Sequence, residues 1–103
     1  MDDIFSISGK VVIITGGGRG LGHNLVNGLA TRSAITYSLD KKFTNKFQKN
    51  LLPNITEIKC DITNPKKVAK IFKKIFMKEK RIDVLINNAG INRATKKNIR
   101  ILQ

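Results

Sequence analysis

Between Thr15 and Gly22 the chain reads Thr-Gly-Gly-Gly-Arg-Gly-Leu-Gly, directly after the β-branched run Lys10-Val-Val-Ile-Ile-Thr15 and before a helical pattern. A glycine-rich turn from a strand into a helix can cradle phosphate. Glycines permit the tight turn and a close backbone approach, while the unpaired N–H groups and the positive dipole end of the helix favour negative charge. A turn that merely joins two elements is the plainer reading, but five glycines among residues 16–22 carry an entropy cost that a simple connector does not need. The spacing is Gly16-x-x-x-Gly20-x-Gly22, not Gly-x-Gly-x-x-Gly. No Gly-Lys-Ser/Thr ending follows, which argues against a nucleoside triphosphatase. Asp40 lies twenty residues beyond Gly20. At the end of a second strand its carboxylate can accept hydrogen bonds from both hydroxyls of an adenosine ribose and repel a 2′-phosphate. The alternative for Asp40 is an ordinary turn residue at a strand end.

These residues need a scaffold, and the hydrophobic pattern supplies strands alternating with helices. Lys10–Thr15 reads as a buried strand covered on both faces. From Gly20, Leu21, Leu25 and Leu29 recur every four residues beside Val26, placing an apolar stripe on a helix that ends near Thr31 or Arg32. Ala34–Leu39 reads as a second strand, and Phe43 and Phe47 are spaced for one face of a short helix closing before Pro53. Residues 55–60 alternate as a third strand. Thr63 or Asn64 caps the next helix, Pro65 suits its first turn, and Val68, Ile71, Phe72, Ile75 and Phe76 form its buried stripe. Ile82–Ile86 is a fourth strand, and a basic, poorly ordered tail is expected over 92–103. This alternation predicts an α/β fold, a doubly wound parallel sheet with ligands at the C-terminal ends of its strands.

The composition fits a packed domain. Of 103 residues, 41% are hydrophobic and 26% charged, with two prolines, which excludes collagen-like and disordered classes. Val11–Ile14, the longest apolar run, is far shorter than the ~20 residues of a membrane helix, and Asp2 and Asp3 stand where a secretory signal carries positive charge. A cytoplasmic protein without a membrane partner is expected. One cysteine, Cys60, and one histidine, His23, allow neither an internal disulfide nor a zinc site. His23 reads as a polar surface residue and Cys60 as a small buried one. The net charge of +13 is confined to residues 41–103, where seventeen basic residues face four acidic ones. Lys66, Lys67, Lys70, Lys73, Lys74 and Lys78 fall between the apolar positions of the third helical pattern and read as its solvated face. A nucleic-acid surface would interleave aromatic residues, and none is free to do so, hence no specific nucleic-acid partner is expected.

Taken together, Thr-Gly-x-x-x-Gly-x-Gly at 15–22 and Asn-Asn-Ala-Gly at 87–90 resemble the short-chain dehydrogenase/reductase family, and the likeness covers nearly the whole chain. Its text is most similar to members acting on sugar acids, polyols or 3-oxoacyl thioesters. The resemblance implies a three-layer Rossmann-type domain with strand order 3-2-1-4 and an NAD(P)-dependent transfer of hydride between nicotinamide and an alcohol or ketone. It also implies that Asp61 and Ile62 flank the adenine, although Asp61 has the alternative of capping the following helix. The candidate cofactor-binding residues are therefore Thr15, Gly16, Gly18, Arg19, Gly20, Leu21, Gly22, Asp40, Asp61, Ile62, Asn87, Asn88, Ala89 and Gly90. NAD is expected from Asp40, while Arg19, Lys41 and Lys42 resemble the basic residues of NADP-preferring members.

Family catalysis uses a helical Tyr-x-x-x-Lys pair whose side chains share a face, the lysine lowering the tyrosine pKa. Tyr37-Ser-Leu-Asp-Lys41 matches the letters, but in a strand four residues span roughly 13 Å, and the match precedes Asn-Asn-Ala-Gly. No catalytic residue is assigned. The expectation is the N-terminal part, residues 1–103, of a single dinucleotide-binding domain, a fragment lacking the catalytic Ser-Tyr-Lys segment. Homo-oligomers are expected only of the full-length protein. Such a fragment would leave the far edge of the fourth strand open. A non-catalytic dinucleotide-binding module is the alternative.

Overall fold

A computed structural model of the chain describes residues 6–43, 51–88 and 99–101. Five strands form one sheet in the order β3-β2-β1-β4-β5: β1 (Val11–Thr15), β2 (Ile35–Asp40), β3 (Ile55–Lys59), β4 (Val84–Asn87) and β5 (Ile99–Ile101). The first four are parallel, in the expected order 3-2-1-4. Two described helices link them, α1 (Gly20–Thr31) and α2 (Pro65–Glu79). No described helix is long and apolar enough to cross a membrane.

The continuous β-branched run of β1 is explained by its place in the middle. Val12 and Ile14 pack with Val26 and Ala30 of α1, whereas Val11 and Ile13 pack with Tyr37, Leu39 and Ile75 on the α2 side. Each of the four β1 side chains Val11, Val12, Ile13 and Ile14, at most 1% exposed, contributes about 1.5–3 kcal/mol through burial. Asp83 fixes the start of β1 by accepting from the Val11 amide at 2.8 Å, and Arg81 holds that carboxylate at 2.7 Å. This pairing keeps the Asp83 carboxyl below the usual range.

Helix α1 is turned relative to the stripe read from its leucines. Gly22, His23, Val26 and Ala30 are buried, Leu25 and Leu29 are partly buried against the same core, and Leu21 is 66% exposed. Small residues at 22 and 30 let the helix axis approach the sheet more closely than a leucine seam would, which leaves Leu21 outside. His23 is a buried residue, not a surface one, with Nε2 3.0 Å from Asn27 Nδ2.

In α2, Asn64 is the cap, accepting from the Lys67 amide at 3.2 Å, with Pro65 in the first turn. Val68, Ile71, Phe72 and Ile75 pack inward as the periodicity requires, but Phe76 is 53% exposed beside exposed Met77. The stripe is narrower than expected because a single sheet face contacts the helix. Phe43 is buried, while Phe47 and the short helix expected around it lie outside the described residues.

The clearest correction concerns the end of the chain. Within the basic, poorly ordered tail expected over 92–103, Ile99–Ile101 instead forms a strand antiparallel to β4, pairing Val84 with Ile101 and Ile86 with Ile99, while 92–98 and 102–103 lie outside the described residues. The β4 edge expected to stand open is therefore covered, because the isoleucines at 99 and 101 flank a β-compatible arginine and supply backbone groups to the ladder.

Candidate functional site

The C-terminal ends of β1, β2 and β4 converge on the glycine segment, within which Gly17, Gly18, Gly20 and Gly22 divide into two kinds. Gly17, Gly18 and Gly22 are closed in. A Cβ on Gly17 would lie 2.1 Å from Ser38 Oγ, one on Gly18 2.3 Å from the Lys42 carbonyl, and one on Gly22 2.0 Å from the Gly16 carbonyl and 2.5 Å from Asn88 Nδ2. Gly20 is the opposite: its φ is +62° and a Cβ there would meet nothing within 4 Å among the described residues. Packing demands the first three glycines; backbone conformation alone demands Gly20, and it faces open space.

Hydrogen bonds hold this turn from three strands. The Gly16 amide donates to the Leu39 carbonyl at 2.7 Å, and Asn88 Nδ2 donates to the Gly16 carbonyl at 3.0 Å. The buried Thr15 hydroxyl donates to Asn87 Oδ1 at 2.9 Å, tying β1 to β4. Arg19, exposed and extended, precedes α1 without a side-chain cap, leaving the first amides of the helix for another acceptor.

Asp40 reaches the same turn. Its Oδ2 accepts from the Gly18 amide at 2.9 Å and its Oδ1 from the Lys41 amide at 2.7 Å, which orients the carboxylate beside the loop and leaves further lone pairs on each oxygen. Asp61 is engaged locally: its Oδ1 accepts from the Thr63 amide at 3.0 Å and the Thr63 hydroxyl at 2.6 Å. Those bonds, the hydroxyl's first, hold its carboxyl below the usual range, and Lys41 and Lys67 add to the effect. The Ile62 side chain packs inward against the α2-side core. The structure thus gathers Thr15, Gly16, Gly18, Asp40, Asn87 and Asn88 into one bonded unit that opens at Gly20, with Arg19 and Leu21 exposed at the entry to α1. Asp61 and Ile62 follow β3. Ala89 and Gly90 lie outside the described residues.

Two supporting residues escaped the sequence reading. Ser38 fills the space under Gly17, buried and with no hydrogen-bond partner for its Oγ among the described residues, and the Leu39 carbonyl anchors Gly16. The polar Thr36 and Ser38 inside an otherwise apolar strand were the available signal for the first. Tyr37 is 4% exposed on β2, its hydroxyl donating to Glu79 of α2. Burial, reinforced by that carboxylate's hydrogen bond and charge, pushes its pKa up to about 12. The only tyrosine of the chain is thereby unsuited to proton transfer near neutral pH.

Comparison with known proteins gives one consistent family. The profile described as short chain dehydrogenase matches residues 10–101. A 3-oxoacyl-[acyl-carrier-protein] reductase of Buchnera aphidicola is 39% identical over 87 residues, covering 82% of this chain and 36% of that protein. A farnesol dehydrogenase of Aedes aegypti is 29% identical over 94 residues, covering 85% and 38%. The crystal structure of a short chain dehydrogenase from Leptospira borgpetersenii with bound NAD+ superposes with a TM-score of 0.75 at 33% identity, covering 92% of this chain and 37% of that one. The chain spans little more than a third of the length of these relatives.

Proposed function

Since the chain belongs to the short chain dehydrogenase family, we propose that it holds NAD for the oxidation or reduction of a small-molecule alcohol or ketone. The observation that carries this reading is the glycine turn: closed inward at Gly17, Gly18 and Gly22, open at Gly20, and set on an uncapped helix start with Asp40 beside it. A pyrophosphate fits that arrangement. It would lie against the backbone of Gly16, Gly18, Gly20, Leu21 and Gly22, with Thr15, Asn87 and Asn88 supporting the turn and the nucleoside. Arg19, exposed at the entry, adds positive charge. Asp40 would accept from the ribose hydroxyls, and Asp61 with the backbone of Ile62 would flank the adenine.

When bound, the nicotinamide supplies or accepts the hydride. The residues described here bind and orient; none is assigned proton transfer, because Tyr37 is buried against Glu79. That burial favours a second reading, dinucleotide binding without turnover by this stretch of chain alone. The relatives' names span a 3-oxoacyl group on a carrier protein and farnesol, which supports an alcohol or ketone as the substrate class and no single compound.

Titration with NADH and NADPH by intrinsic cofactor fluorescence tests the reading. NADH is expected to bind at least about tenfold more tightly, since a carboxylate facing a 2′-phosphate is repelled by more than 1 kcal/mol. Asp40→Asn keeps an acceptor for the Gly18 amide while removing the charge, and is expected to narrow the preference by tightening NADPH. An unchanged ratio would remove Asp40 from cofactor choice. Absence of binding by either dinucleotide would sink the proposal.

A further inference from the structure

Helix α2 carries six lysines and a single acidic residue, Glu79 at its end, which accepts the Tyr37 hydroxyl. Lys66, Lys70, Lys74 and Lys78 follow one another at intervals of four, a spacing at which like charges destabilise an isolated helix by about 0.2–0.5 kcal/mol per pair. A merely solvated face has no need for this repulsion, and alternating signs would relieve it. The lysines are also not evenly displayed. Lys67, Lys70 and Lys74 turn toward the end of β3, where with Lys41 and Lys59 they line a cavity of about 460 Å³. None of the five forms an ion pair with another described residue.

Asp61 is the single acid among the described residues of the wall, and its carboxylate accepts from the Thr63 amide and hydroxyl. Cys60 and Ile71 give the cavity an apolar side. An adjoining cavity of about 280 Å³ shares Ile71 and Lys74 and adds Lys78, Ile58 and Ile75. Concave walls of one sign focus the field on a bound counter-ion. Five ammonium groups on flexible stems, with no guanidinium among them, suit the tetrahedral, multiply charged oxygens of phosphate more than the planar fork of a carboxylate. The main cavity has the size of a small-molecule site, for which roughly 300–1,000 Å³ is usual.

We infer that the lysine-lined cavity between β3 and α2 is a binding site for a compact polyphosphate, inorganic or carried on a small organic body, separate from the glycine turn. The recognising elements are Lys41, Lys59, Lys67, Lys70 and Lys74; an organic body would lie along Ile71 toward the adjoining cavity. The inference does not depend on dinucleotide binding: Asp61 borders both sites and Lys41 stands beside Asp40, but Lys59, Lys67, Lys70 and Lys74 are not among the residues proposed to hold the dinucleotide.

The test titrates the full chain with inorganic tripolyphosphate and, separately, with a nucleoside triphosphate, following amide chemical shifts and heat. Two double variants are compared: Lys70→Glu with Lys74→Glu inside the cavity, and Lys66→Glu with Lys73→Glu on the flank of the same helix, which makes the same change in net charge. Lys70→Gln with Lys74→Gln provides a milder cavity variant should charge reversal impair folding. Tripolyphosphate affinity is expected to fall at least about tenfold in the cavity variants and about twofold or less in the flank variant, since flank charges act only through a screened field. Equal affinity for the two probes assigns recognition to the phosphates alone; tighter binding of the nucleoside form, still dependent on Lys70 and Lys74, assigns the apolar wall to the organic body. Equal losses in cavity and flank variants would overturn the site in favour of diffuse attraction. So would binding that ignores both lysine pairs and disappears in Gly20→Ala, or no binding at all.

Discussion

The two layers flanking the sheet are built by opposite means. On the α1 side closeness comes from what is missing: Gly22 and Ala30 bring helix to sheet, and Gly17 and Gly18 let the turn fold onto Ser38 and Asp40. On the α2 side separation is filled by bulk, with Tyr37, Ile75 and Phe72 between helix and strands and long lysines beyond. The first layer should fail by addition and the second by deletion. The difference teaches where each kind of ligand contact can arise: backbone atoms on the α1 side, flexible ammonium groups on the α2 side.

The largest effect is expected from deletion in the bulky layer. Ile75→Ala, at a site only 3% exposed, should lower unfolding free energy by about 4 kcal/mol in urea, with little change if the layer can collapse. Addition in the close layer comes next. Gly22→Ala should cost about 3 kcal/mol, because the new methyl meets the Gly16 carbonyl at 2.0 Å, and a wild-type melt would show that the layers do not differ as described.

Tyr37→Phe probes the polar contact of the bulky layer through pH. The native pKa is raised from 10.0 to about 12, so the folded state holds the phenolic proton more firmly than the unfolded state. Its stabilisation is complete below pH 10 and is lost as pH rises toward 12. The phenylalanine variant should flatten that alkaline limb and cost about 1 kcal/mol at pH 7 for the lost hydrogen bond. The smallest effect is expected at Ser38→Ala under the turn: a gain of about 1 kcal/mol, since a buried hydroxyl with no partner among the described residues is removed without disturbing Gly17.

Much of the fold was legible because each central element carries a local signal that agrees with its neighbours. Val11–Thr15 could only be a strand buried on both faces, and Asn64-Pro65 could only open a helix. The failures share a cause. Leu21 and Phe76 continue their stripes in sequence but not in contact, since the arc a helix buries depends on how closely it lies to its sheet and on what else covers it. His23 has no apolar periodicity to announce burial, and a three-residue strand such as β5 pairs through its backbone, which its side chains hardly declare. At the site the glycine turn and Asp40 were readable from spacing. That three glycines are required by packing and Gly20 by conformation was not, because all four look alike until the contacts of an absent Cβ are known.

Gly20 therefore offers the most direct test of the central claim that the open face of the turn receives the dinucleotide. NADH titration of Gly20→Ala should be set beside its thermal melt. A Cβ there meets nothing within 4 Å among the described residues, so the fold should lose only about 1 kcal/mol to the positive φ. The methyl would stand where the pyrophosphate must approach, and NADH affinity is expected to fall at least about tenfold, or more than 1.4 kcal/mol. A folded Gly20→Ala protein that binds NADH as tightly as the wild type would contradict the account and place the dinucleotide elsewhere.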